Sequence, residues 1–247
     1  MRPRGRRGGG SDPSHGSLRS TARSARAGLA PHFNILGHAD DRVGGIPVHV
    51  LAALVLEEAG SVAHAREIVE SAPLASSGSF MLFDTESAVL LDLSPVGVFE
   101  APRVAEGTHL RTNHFLTEVP AAREKAWLYQ PDSGDRFDFL RERLTRAGAG
   151  TGAGTGAGAG TGAGSGTGAG TGAGTGAGAV TADGLPQALV TGPGEPPVTC
   201  VPDPTAPLGR RWASLATVVL DPAARAARVL DGTPAEQLTR PWIPLRA

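Results

Sequence analysis

From Gly148 to Gly178 every even-numbered residue is glycine, and the residues between them are alanine, threonine or serine. Sixteen glycines in strict alternation carry a high ordering cost, and no neighbouring side chain is large enough to bury apolar surface against it. Silk-like stacking needs many copies, so a single run of this kind reads as flexible coil. A folded core has to be built from the sequence on either side. The stretch Ala147–Ala179 is therefore expected to be an insert, tolerable because loop-closure entropy grows slowly with length.

A second segment is equally unsuited to a core. Met1–Arg26 holds seven arginines, many glycines and serines, and one apolar residue, Leu18, beyond Met1 and the alanines. Clustered Arg2, Arg4, Arg6 and Arg7 suggest a nucleic-acid-binding arm, but the composition reads more simply as a disordered tail over residues 1–27. What remains is one domain, 28–247, interrupted by the glycine-rich insert over 147–179.

Charge and hydropathy exclude several classes. The net charge of -1 gives no global attraction to nucleic acid or to an anionic membrane. The longest apolar run, Val48–Leu56, is too short to span a bilayer, and the arginines near Met1 precede no apolar signal region. A cytoplasmic protein is the resulting expectation. Cys200 is the only cysteine, so no internal disulfide can form.

Periodicity supplies the elements. Pro31–Leu36 reads as a short strand, followed by a polar loop over His38–Gly45. Pro47 then opens a helix with apolar residues Val48, Leu51, Ala52, Val55 and Leu56 at spacings of three and four, ending near Gly60. Ser61 reads as the N-cap of a second helix, with Ala65, Ile68 and Val69 on its apolar face. Past Pro73 the period becomes two: Phe80 and Leu82, then Val89, Leu91 and Leu93, form a hairpin around Asp84–Ser87. Val96–Phe99 and Thr108–Phe115 are further strand candidates, and Ala121–Leu128 and Arg136–Leu144 are helices. Ser214–Leu220 and Ala226–Leu230 make a closing hairpin, expected to join the sheet of the earlier segment. Helices between largely antiparallel strands define an α/β (α+β) fold.

Generic catalytic motifs are absent: there is no P-loop, no dinucleotide fingerprint, no zincin helix and no nucleophile elbow. The histidines show no metal-binding spacing, and in a strand over Thr108–Phe115 His109 and His114 would fall on opposite faces. No metal or cofactor is expected. His114 is expected to pack or cap, and His49 to sit on the exposed edge of its helix.

Three segments belong together. Gly44-Gly45-Ile46-Pro47-Val48-His49-Val50-Leu51 opens a helix, Thr112-Asn113-His114-Phe115 ends the strand candidate, and Arg211-Trp212-Ala213-Ser214-Leu215-Ala216-Thr217-Val218-Val219-Leu220-Asp221 begins the last hairpin. In this order the set resembles the acyl-coenzyme A:6-aminopenicillanate (isopenicillin-N) acyltransferase-like family of autoproteolytic cysteine hydrolases, over about Gly28–Leu245. The resemblance implies an N-terminal-nucleophile αββα sandwich, incomplete here, acting on linear amides or acyl thioesters. Its partner would be a small-molecule amide or an acyl-CoA-type substrate, not nucleic acid or membrane. In that design a cysteine freed by self-cleavage attacks the carbonyl while its own α-amino group is the base.

Asn113 matches the family position whose side-chain amide stabilises the oxyanion, and Arg211 matches an arginine beside the nucleophile. The family's nucleophilic cysteine, with a supporting aspartate, lies well upstream of the segment matching Gly28. Here 27 residues precede Gly28 and none is cysteine. The resemblance thus implies a C-terminal part, inactive as it stands; the alternative is a non-catalytic remnant or binding protein on the same scaffold. Cys200 matches a cysteine-containing strand that does not carry the nucleophile, where a buried small hydrophobe is expected.

Overall fold

The computed structural model describes residues 27–128, 132–150, 184–207 and 213–246. The N-terminal tail, most of the glycine-rich insert and Arg211 lie outside the described residues. Strand β1 (Ala30–Ile35) leads through two helices, α1 (Val48–Glu58) and α2 (Val62–Ser71), to strands β2 (Gly78–Phe83), β3 (Ala88–Ser94) and β4 (Gly97–Glu100). The four strands form one antiparallel sheet in chain order.

Local chemistry accounts for these elements. Helix α1 starts after Pro47, whose φ of -64° suits the position, and buries Val48, Leu51, Ala52 and Val55. Helix α2 starts at Ser61, whose hydroxyl accepts from the His64 N–H at 3.2 Å, and buries Val62, Ala65 and Val69. Asp84 holds the hairpin turn by accepting from the N–H groups of Glu86 and Ser87 with one oxygen. Its other oxygen accepts from the Val62 N–H at 2.9 Å and ties the turn to the start of α2.

The sheet has two unlike faces. Phe80, Leu82, Val89, Leu91 and Leu93 bury one face against α1 and α2 in a continuous apolar core. Gly45 lets the chain enter α1: at a φ of +126°, a Cβ there would sit 2.6 Å from the Pro73 oxygen. The opposite face carries His32, Met81 and Leu90 in one row, and Asn34, Ser79 and Asp92 in the next. This second face positions the site.

Four expectations are corrected. Thr108–Phe115 is no strand; it crosses the second face without a ladder, for reasons given below. Ala121–Leu128 is not one helix but a short helix α3 (Glu118–Ala121) and a 3₁₀ turn (Ala126–Leu128). The helix expected at Arg136–Leu144 is longer: α4 spans Ser133–Gly150, so the first residues of the glycine-rich stretch are helical. The closing hairpin, β5 (Ala216–Asp221) and β6 (Ala226–Asp231), does not join the first sheet. It forms a second antiparallel sheet with β7 (Trp242–Arg246), whose Pro244 is tolerated because β7 is an edge. Between α4 and this sheet lies a short helix, α5 (Leu185–Ala188). Mixed helices and antiparallel sheets make the protein α+β, with no closed barrel among the described residues. Among the described residues no helix is long and apolar enough to cross a membrane.

Candidate functional site

The segment Arg111–Thr117 is held by side chains where a strand would be held by a neighbour's backbone. Asn34 Nδ2 donates to the Thr112 carbonyl at 2.8 Å. The Asn113 N–H donates to Ser133 Oγ at 2.6 Å, and the Phe115 N–H to Glu124 at 3.0 Å. Asp92 Oδ2 accepts from the N–H groups of Leu116 and Thr117, at 2.8 and 2.9 Å, and from the Thr117 hydroxyl. Backbone donors and acceptors have to be paired somewhere, and here polar side chains on the sheet face and at the head of α4 do it.

Asp92 is fully buried and also forms an ion pair with Arg111. Burial pushes the Arg111 guanidinium below its ordinary value, and the Asp92 charge draws it back toward the cationic form. Glu124 is raised, chiefly by burial, against the pull of the Phe115 N–H and the Arg111 charge. His114 is lowered, first by burial and then by the nearby Arg111 charge.

Ser133, the first residue of α4, is the hub of the site. Its hydroxyl accepts from the Asn113 N–H, lies 2.8 Å from His114 Nδ1, and donates to Thr112 Oγ1 at 3.0 Å. The His114 ring stands edge-on to Phe137 at 5.5 Å, so it packs there. One turn along α4, Arg136 is 5 % exposed and reaches back to Asn113, with Nη1 and Nη2 at 3.3 and 3.2 Å from Oδ1.

Asn113 is half-buried within this network, two residues past Arg111, where the stretch that lines a cavity ends. That cavity, of about 390 Å³, lies between the second sheet face and β5. Met81, Phe83, Leu110, Leu144, Leu189 and Val219 give it an apolar wall, and His32, Thr108, His109, Arg111 and Thr217 are its polar lining. Arg211 lies outside the described residues, so no position is assigned to it. Cys200 is not in a strand and is half-buried in a loop, which corrects the buried-strand expectation. Ser214 fixes it there, donating its N–H to the Cys200 carbonyl and accepting the Cys200 N–H, both at 2.9 Å. Among the described residues no group of three or more His, Cys, Asp or Glu is placed to hold a metal ion.

Sequence reasoning missed Asn34, Asp92, Ser133 and Arg136. Asp92 had a legible signal, a carboxylate inside the apolar run Val89–Leu93, since a charge in such a strand needs a buried partner. The others had none, because their roles depend on which elements meet.

The fold and site define an α+β protein whose polar centre is assembled around a Thr-Asn-His-Phe segment on a sheet face. Residues 24–147, just over half of the chain, match the family model of acyl-coenzyme A:6-aminopenicillanic acid acyl-transferase, and the chain belongs to that family. The match contains the first sheet, its helices and Asn113, and ends before Cys200, Arg211 and the second sheet. No curated protein matches the chain.

Proposed function

We propose that this chain carries the oxyanion-stabilising half of a cysteine N-terminal-nucleophile acyltransferase or amide hydrolase, acting on a linear amide or an acyl thioester. The observation that carries this reading is the setting of Asn113. Its backbone N–H is committed to Ser133, its segment is pinned from both ends, its side-chain oxygen is engaged by Arg136, and it lies two residues past Arg111, the last residue of the stretch that lines an apolar cavity. A preorganised amide N–H aimed at a developing alkoxide is worth about 3–4 kcal/mol in comparable sites. The cavity suits an aliphatic or aromatic acyl group, and Arg211 is assigned the role of tuning the thiol or meeting a substrate carboxylate. In this reading the scaffold is the αββα sandwich, and the nucleophile comes from a segment preceding the family-matched residues.

The experiment compares this chain with a form extended upstream in the same reading frame, assayed for self-cleavage and for turnover of amides and acyl thioesters. The extended form should self-cleave and turn over, and Asn113→Ala in it should lose roughly a hundredfold or more in turnover. Unchanged turnover in Asn113→Ala would sink the oxyanion role. Covalent acylation of the chain at Cys200 by an activated ester, abolished in Cys200→Ser, would instead place the nucleophile within the present sequence. Substrate binding without turnover in either form would support a binding protein.

A further inference from the structure

An asparagine amide has two ends of nearly the same shape and opposite chemistry: the oxygen only accepts and the nitrogen only donates. An oxyanion donor must present its nitrogen, so some group has to engage the oxygen. Guanidinium nitrogens are donors only, and two of them, from Arg136, lie at 3.3 and 3.2 Å from the Asn113 side chain. The atom facing them is therefore Oδ1, and Nδ2 is turned away. Arg136 is itself restrained: it is buried, its Nε lies 3.4 Å from Asp132, and it belongs to the helix whose first residue takes the Asn113 N–H.

We infer that Arg136 is the positioning residue of the Asn113 amide, setting which end faces the reacting carbonyl; this rests on reading Asn113 as the oxyanion donor. In the inverted amide the Nδ2 hydrogens would meet guanidinium hydrogens, and Oδ1 would point at the growing negative charge. The guanidinium also draws electron density from the amide nitrogen through the carbonyl oxygen, which makes each N–H a stronger donor. Arg136 touches no reacting atom and acts only through Asn113.

Asn34 and Asn113 are the only asparagines in the chain, so asparagine-selective ¹⁵N labelling gives two side-chain amide pairs. Asn34, bound to the Thr112 carbonyl, is an internal reference. In Arg136→Gln the Asn113 pair should shift upfield in ¹⁵N and its two protons should interchange faster, because the carbonyl has lost its cationic partner. The Asn34 pair should stay in place. Arg136→Lys, which keeps a cationic donor, should restore most of the original signature. An Asn113 pair unmoved in Arg136→Gln would overturn the inference. So would strong nuclear Overhauser contacts between the Asn113 Nδ2 protons and the Arg136 guanidinium protons in the unsubstituted protein, a measurement that decides the matter even if a variant fails to fold. If the Asn113 pair responds but Asn113→Ala keeps full turnover, the positioning stands and the oxyanion reading falls. If Asn113→Ala is crippled and the pair does not respond, the positioning alone falls.

Discussion

Asp92 and Arg111 face one another as an ion pair withdrawn from solvent, with side-chain exposures of 0 % and 8 %. The two partners are not equivalent. Asp92 also accepts from two main-chain N–H groups and a hydroxyl of the Leu116–Thr117 turn, whereas Arg111 gives one hydrogen bond among the described residues, to Asp92. Removing one member of a buried pair strands the other, at a cost of about 3–5 kcal/mol.

Asp92→Leu should therefore be the more damaging change, since it strands the guanidinium and two backbone donors together. Arg111→Met leaves a carboxylate that keeps its remaining donors. In urea unfolding, Asp92→Leu should lose about 3–5 kcal/mol or fail to fold, and Arg111→Met should lose less. The reverse order would show that Arg111, not Asp92, organises the segment.

Asn113 offers a test of the Arg136 contact through stability. Asn113→Asp places a carboxylate against a guanidinium fork suited to it, and Asn113→Leu removes that acceptor from a buried cation. At neutral pH the Asp variant should melt at or above the unsubstituted protein. The Leu variant should lose about 1–3 kcal/mol. Calorimetric melting in the opposite order would mean that the amide is not held by Arg136.

His114 links the site to pH. Its folded-state pKa is lowered, by burial first and by the Arg111 charge second, so the unfolded chain takes up the proton more readily. Its contribution to stability is complete above about 6.5 and is lost as pH falls from there toward the lower folded value. Glu124, raised mainly by burial, works the other way: its contribution is complete below about 4.3 and is lost as pH rises through that value to the folded one. His114→Gln should flatten the decline in melting temperature below about pH 6.5 and leave the Glu124 limb unchanged. Parallel melting profiles for the two proteins would dismiss the His114 contribution.

Two glycines predict opposite responses to the same substitution. Gly45 has a φ of +126° and backs onto the Pro73 oxygen, whereas Gly60 has open space around it. Gly45→Ala should cost more than about 1 kcal/mol, and Gly60→Ala should be neutral or stabilise by about 0.4–1 kcal/mol. Equal melting temperatures for both variants would show that the loop entering α1 adapts freely.

The first half of the fold was legible because its signals are local. Pro47 and Ser61 start helices through chemistry within one turn, and Asp84 closes its hairpin with its own side chain. Spacings of three and four against two separate the helices from β2 and β3, since those periods follow from backbone geometry alone. The resemblance to the family was likewise legible, because each of the three segments that carry it is contiguous and their order along the chain is itself a signal.

Tertiary structure decided the rest. Thr108–Phe115 has a strand's composition, yet Asn34, Ser133 and Glu124 bond its backbone, and Asp92 takes the N–H groups of Leu116 and Thr117 just beyond it. The bond from Asn34 to Thr112 spans 78 positions, and no local periodicity encodes such a pairing. The last hairpin pairs with β7 instead of the first sheet because hydrogen bonding along a strand is the same for any partner, and only packing selects one. Sequence by itself determined α1, α2 and the first four strands; the meeting of β1, β3 and α4 determined that the Asn113 N–H goes to Ser133 and its Oδ1 faces Arg136.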